Sequence, residues 1–178
     1  MKSHNHLTIF GVFSIFLMIA CGNPDPNLDN KGEDELKALE IETTIEEGEI
    51  KFQEIIYVPI YSDIYVDQQN QSVLLAATLS IRNTSYKDSL FISKIDYFDT
   101  KGDMVRSYID NVISIPPMAT VNYVVDKNDD TGGPGANFIV ELNAKTKNVD
   151  PIIQAVMIGQ TGNKGFSFTT EGYVVKSR

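Results

Sequence analysis

The sequence predicts an all-β fold: an antiparallel immunoglobulin-like β-sandwich of seven to eight strands behind a flexible acidic tether. Three observations predict it. Apolar residues alternate with polar ones at period two from about Lys51 to the C-terminus. Turn-forming residues interrupt the alternation at short spacing, and no convincing helix stands between the runs to make a parallel crossover. With 178 residues and 42% hydrophobic content, the chain is long enough for one domain with a real core.

Residues 1–20 read as a targeting segment. A short polar start with Lys2 precedes Leu7–Ala20, fourteen residues broken only by Thr8, Gly11 and Ser14. That is too short for a bilayer span, which needs about 20 apolar residues, and matches the apolar core of a secretory signal. The stretch ends in Leu17-Met18-Ile19-Ala20-Cys21-Gly22, which resembles the lipobox of bacterial lipoproteins, with small residues flanking Cys21. Cys21 is therefore expected to be the mature N-terminus, carrying lipid. Gly22 lacks the aspartate that can retain lipoproteins at an inner membrane, so an outer membrane is favoured in a two-membrane bacterium.

Removal of this segment has chemical consequences. The only histidines are His4 and His6 and the only cysteine is Cys21, so the mature chain would have no imidazole and no disulfide. Ser/His/Asp and Cys/His nucleophilic machinery, histidine metal ligation and CxxC sites are thereby excluded within one mature chain.

Residues 21–50 read as the tether. From Gly22 to Glu54 eleven acidic residues face three lysines, whereas Ile55–Arg178 carries thirteen acids and eleven bases. The net charge of −9 thus belongs mainly to a self-repelling, solvated linker. Ile41, Ile45 and Ile50 have a spacing that permits an additional strand without requiring one. No basic patch exists to neutralise phosphates, so nucleic acid is not an expected partner.

The domain, residues 51–178, divides into runs at Ile55–Val66, Val73–Asn83, Ser89–Asp99, Met104–Ile115, Thr120–Asp126, Asn137–Asn143, Ile152–Gly159 and Phe166–Lys176. Positions 73, 75, 77, 79 and 81 are all apolar, which marks a strand with one buried face. The connections carry turn chemistry, as in Thr100-Lys101-Gly102-Asp103, Pro116-Pro117 and Thr161-Gly162-Asn163-Lys164-Gly165.

Three constellations in the domain are candidates for function. Tyr57, Tyr61 and Tyr65 fall on one face of the first run, opposite Ile56, Val58, Ile60, Ile64 and Val66, which must face the core. Such a row either stacks on sugar rings or a partner surface, or covers a neighbouring strand, with Pro59 marking an edge or bulge. The second is the loop Asp126–Asn137, where Asp126, Asn128 and Asp130 have the spacing of an EF-hand start. The pattern fails at Thr131, where glycine is needed, and at Asn137, where a glutamate should close the shell. Asn137 is expected instead to fix the loop by side-chain bonds to backbone, with Gly132, Gly133 and Gly135 supplying its turns, so that loop and tyrosine strand form one contact surface. The third is the pair Asp96 and Asp99, two carboxylates of the kind acid/base chemistry uses, which a strand would point to opposite faces. No Ser-x-x-Lys, Gly-x-Ser-x-Gly or lysine in an apolar run accompanies them, so no enzyme, cofactor or resident metal is expected.

Tyr57–Ser62, Thr78–Thr84, Asp96–Asp99 with Gly102, Gly132–Glu141 and Ala155–Gly159 together resemble the bacterial family catalogued as domain of unknown function 3124. The match covers about residues 53–176, and Gly135–Glu141 and Val156–Gly159 are its most specific blocks. Leu142 departs from it, where tryptophan is expected in many members. The resemblance implies frequent lipoprotein signals and no known activity, ligand or catalytic residue. The expected function is a lipid-anchored, extracytoplasmic binding or assembly module at the cell envelope, its partner an envelope protein or a glycan. A purely structural envelope lipoprotein is the alternative, and a carboxylate-dependent hydrolase the distant third.

Overall fold

The computed structural model describes residues 45–67 and 71–177. The expected signal segment, Cys21 and the tether as far as residue 44 lie outside them. Among the described residues no helix is long and apolar enough to cross a membrane.

The strands are Phe52–Pro59 (β1), Asp63–Tyr65 (β2), Ser72–Arg82 (β3), Leu90–Phe98 (β4), Met104–Ser107 (β5), Ile113–Ile115 (β6), Thr120–Val125 (β7), Asn137–Ala144 (β8), Ile152–Thr161 (β9), Lys164–Glu171 (β10) and Tyr173–Ser177 (β11). They form two antiparallel sheets. The first runs β11-β1-β8-β4-β5, with β6 also on β4, and the second runs β10-β9-β3-β2, with β7 also on β3. The expected β-sandwich is the fold observed.

The eleven segments exceed the seven to eight expected because three runs break in two. The first leaves its sheet after Pro59, a residue with no N–H to continue a ladder. Ile60 N–H then donates to Ala136 O at 2.9 Å and Ser62 N–H to Gly133 O at 3.1 Å, and the chain joins the other sheet as β2. The Met104–Ile115 run breaks where Tyr108 and Ile109 turn into the core, with Tyr108 N–H on Ile95 O at 2.9 Å. The last run breaks at Gly172, where an added Cβ would lie 2.7 Å from Ile56 Cγ2. Only a residue without a side chain lets the strand cross from one sheet edge to the other this close to the core.

Alternation along each strand fills the space between the sheets. Ile56, Val58, Leu75, Leu79, Ile81, Ile92, Ile95, Val140, Leu142 and Met157 are buried there. Asn83 shows how a polar residue joins this interior: its amide nitrogen lies 2.8 to 3.1 Å from the carbonyl oxygens of Asp88, Ile115 and Pro116, and its Oδ1 accepts from Ser85 N–H. It ties the β3–β4 turn to the end of β6, as a buried polar group must be tied.

Burial, and after it the neighbouring Asp150 carboxylate, raises the Glu54 carboxyl above the ordinary glutamate range. The folded state then binds this proton more tightly than the unfolded chain, so stability falls as pH rises from roughly 4 through the raised value. Glu54→Gln is therefore expected to melt above wild type at neutral pH, with the gap closing as the pH falls below roughly 4. Paired thermal melts at the two pH values check both the sign and the window.

Candidate functional site

The described domain offers two places where the sequence-selected residues gather: one end of the sandwich, closed by the loop between β7 and β8, and the outer face of the first sheet.

At the closed end, Tyr97, Tyr108, Tyr123 and Phe138 form one aromatic cluster. Ring centroids lie 5.4 Å apart for Tyr97–Phe138, 5.8 Å for Tyr108–Phe138 and 3.9 Å for Tyr108–Tyr123. The Tyr97 hydroxyl and Ser62 Oγ share a hydrogen bond of 2.9 Å, and both residues are fully buried. Arg106 lies 5.4 Å above the Tyr108 ring, and its Nη2 is 3.5 Å from Asp129 Oδ2. Burial raises both the Tyr97 and the Tyr108 phenols, so each stays protonated at any physiological pH. A buried neutral phenol packs and donates hydrogen bonds; it does not serve as a base.

The glycine-rich loop is the lid of this cluster. Thr100 N–H and Thr100 Oγ1 both donate to Gly132 O at 2.9 Å, and Thr100 Oγ1 accepts from Gly135 N–H at 2.9 Å. Thr100 does what was expected of Asn137. Asn137 is buried at the start of β8 and forms no side-chain hydrogen bond among the described residues, because its register places it on the outer face between Pro59 and Phe98, away from the loop's backbone. The acidic side chains of the loop turn inward on their own backbone: Asp126 Oδ1 accepts from Asn128 N–H at 2.7 Å and Asp129 Oδ1 from Thr131 N–H at 3.2 Å. Among the described residues no group of three or more Asp, Glu, His or Cys is placed to hold a metal.

The tyrosine row is divided. Tyr57 stays on β1 with its ring outward, since Ile56 and Val58 on either side are buried inward. Tyr61, past the break, packs edge-on against Phe168 at 5.8 Å. Tyr65 lies on β2 in the other sheet and is 57% exposed. The aliphatic face holds through Ile60 and Ile64, which reach the core, but Val66 is exposed because β2 ends before it. The carboxylate pair is likewise separated. Asp96 faces outward from β4 with Lys94 Nζ at 3.7 Å, while Asp99 Oδ1 accepts from the backbone N–H groups of Lys101 and Asp103 in the β4–β5 turn.

The outer face of the first sheet brings together residues that the sequence did not single out. Residues opposite one another on neighbouring strands share a face. Tyr57 stands opposite Tyr173 of β11 on one side and Ile139 of β8 on the other; Ile55 stands opposite Lys176 and Glu141. One row further, Gln53 lies opposite Asn143. Gln53 Nε2 donates to Glu141 Oε1 at 2.8 Å. Together Gln53, Ile55, Glu141, Lys176 and Ser177 line an open depression of about 230 Å³. Tyr173 stands 62% exposed beside it. A search for motifs along the chain passes over this group because its members come from three strands that are distant in sequence. Alternation does not mark it either, since Val174 stands between Tyr173 and Val175.

The architecture defines a β-sandwich domain with a polar-aromatic patch on one sheet. The family model described as "Protein of unknown function (DUF3124)" matches residues 53–175, and the chain belongs to that family. No curated protein matches the chain. Among solved structures, one titled "Crystal Structure of Thermotoga maritima 1070" is similar at 16% identity, covering 67% of this chain and 92% of its own, with a TM-score of 0.41. Another, "Anabaena sensory rhodopsin transducer", is similar at 18% identity over 57% of this chain and 85% of its own, with a TM-score of 0.29.

Proposed function

We propose that this protein is a non-catalytic binding module, held outside the cytoplasm by lipid on Cys21 and meeting its partner at the bacterial cell envelope through the outer face of the first sheet. The observation that carries the reading is the contrast between the two candidate places. The loop end is packed shut over neutral phenols, whereas the sheet face holds Tyr173, Lys176, Gln53 and Glu141 around an open depression. Catalysis needs groups whose protonation is poised near the working pH. The tyrosines displaced most by burial are far from that condition and sealed in the core. The lipobox-like string before Cys21 and the acidic tether supply the anchor and the spacing from the membrane.

The anchor is tested by Cys21→Ala. The expected result is an uncleaved precursor that no longer fractionates as the wild type does, with wild-type protein in the outer-membrane band of a sucrose gradient where two membranes exist. Normal processing and normal membrane partition of the variant would overturn the lipid-anchored reading.

A further inference from the structure

Building on the binding-module reading, we propose that the outer face of the first sheet is a site for an uncharged oligosaccharide. One ring sits in the depression between β1, β8 and β11, and the next lies across Tyr57 and Tyr173.

The lining has the chemistry of a sugar site. A pyranose presents vicinal hydroxyls, each a donor and an acceptor on adjacent carbons. Glu141 offers acceptor oxygens in a position fixed by the 2.8 Å bond from Gln53, and Lys176 on the β11 wall offers donors. Ile55 between them gives an apolar floor. The depression, about 230 Å³, falls below the roughly 300 Å³ at which drug-sized sites begin. It suits a single ring, and further rings must lie on the sheet outside it.

That is where the aromatic surface stands. Tyr57 is two residues along β1 from Ile55, about 7 Å at the rise of an antiparallel strand, and the register sets Tyr173 directly across from it. Each phenol combines flat apolar area with a polar tip, the form that meets the C–H face of a pyranose and its hydroxyl rim at once.

Charge decides against other occupants. The depression carries one acid, Glu141, and one base, Lys176. Lys94 stands across from Glu141 on β4, and its Nζ lies 3.7 Å from Asp96 in the next row. The face therefore has no net charge and complements an uncharged ligand; a polyanion or a basic peptide would meet as much repulsion as attraction.

The test titrates the full acylated protein, in a detergent without sugar groups, with chitotetraose and cellotetraose, and with a heparin fragment as the charged control. The expected result is binding of at least one neutral tetrasaccharide that is unchanged between low and high salt. Tyr173→Ala should weaken it about tenfold, and Glu141→Ala by at least as much, while Tyr65→Ala on the other sheet leaves it unchanged. Positions 173 and 65 are exposed, so unchanged melting temperatures confirm folding. No binding of either neutral tetrasaccharide at ~10 mM, where a millimolar Kd would be evident, overturns the proposal. So does preference for heparin, or equal weakening by Tyr65→Ala. If those failures coincide with crosslinking of a protein to this face in native membranes, the sugar assignment falls while the binding-module reading stands.

Discussion

Phe138→Ala is expected to lower the stability of the domain by about 3–5 kcal/mol, the range for removing a large aromatic side chain from a packed core. Phe138 is fully buried and touches rings from β4, the β5–β6 connection and β7, with centroids at 5.4, 5.8 and 6.5 Å. Those contacts join both sheets, since β4 belongs to the first and β7 to the second. The cavity cannot collapse without moving both. A domain of this size has a total stability on the order of 5–15 kcal/mol, so the variant should unfold at a much lower denaturant concentration. Tyrosine fluorescence follows the transition in a chain without tryptophan. A loss below about 1 kcal/mol would mean that the aromatic cluster is not the joint between the sheets.

Gly132→Ala is expected to cost about 2–3 kcal/mol for a different reason, overpacking. Gly132 has an ordinary φ of −79°, so backbone conformation is not what excludes a side chain. An added Cβ would lie 2.0 Å from the Tyr97 hydroxyl oxygen and 2.6 Å from Ser62 Oγ. Tyr97 has no room to retreat, because it is fully buried against Phe138. The loop must lift, and the Ser62–Tyr97 hydrogen bond and the two Thr100 bonds to Gly132 O go with it. Gly48→Ala is the control, since nothing lies within 4 Å of a Cβ there. Equal denaturation midpoints for the two variants would contradict this account of the loop.

These two residues also show what the sequence could and could not disclose. Period-two alternation located every run and the sandwich, because burial of one face acts on each strand separately and leaves its mark locally. Pro59 was legible as an edge or bulge, whereas the breaks at Tyr108–Ile109 and at Gly172 were hidden, because each depends on where a distant strand lies. Gly172 is needed because a Cβ there would crowd Ile56 and Ile153. Gly132 was read as a turn residue, but its reason is the approach of Tyr97, thirty-five positions earlier in the chain. The same limit applies to the site. Tyr57 was legible as an outward ring, whereas Tyr173, Lys176 and Glu141 reach it only through the register of β1 with β11 and β8. Asn137 was chosen for its neighbours in sequence, and the structure gives the role to Thr100 across the loop.

The strings that carry the family resemblance have structural work assigned to them here. Asn83 ties a turn to β6, Tyr97 and Phe138 make the aromatic joint, and Gly132–Gly135 close over it. Of the outer-face residues, Tyr57 and Glu141 fall within those strings, whereas Lys176 and Tyr173 lie apart from them.

The central claim, that the outer face of the first sheet is the contact surface, is most directly tested by site-specific photo-crosslinking in native membranes. A benzophenone side chain is placed in turn at Tyr173 and at Val124, which is 50% exposed on β7 of the second sheet. The account predicts a discrete adduct from Tyr173, of glycan or protein mass, and none from Val124. An adduct from Val124 with none from Tyr173 would contradict it.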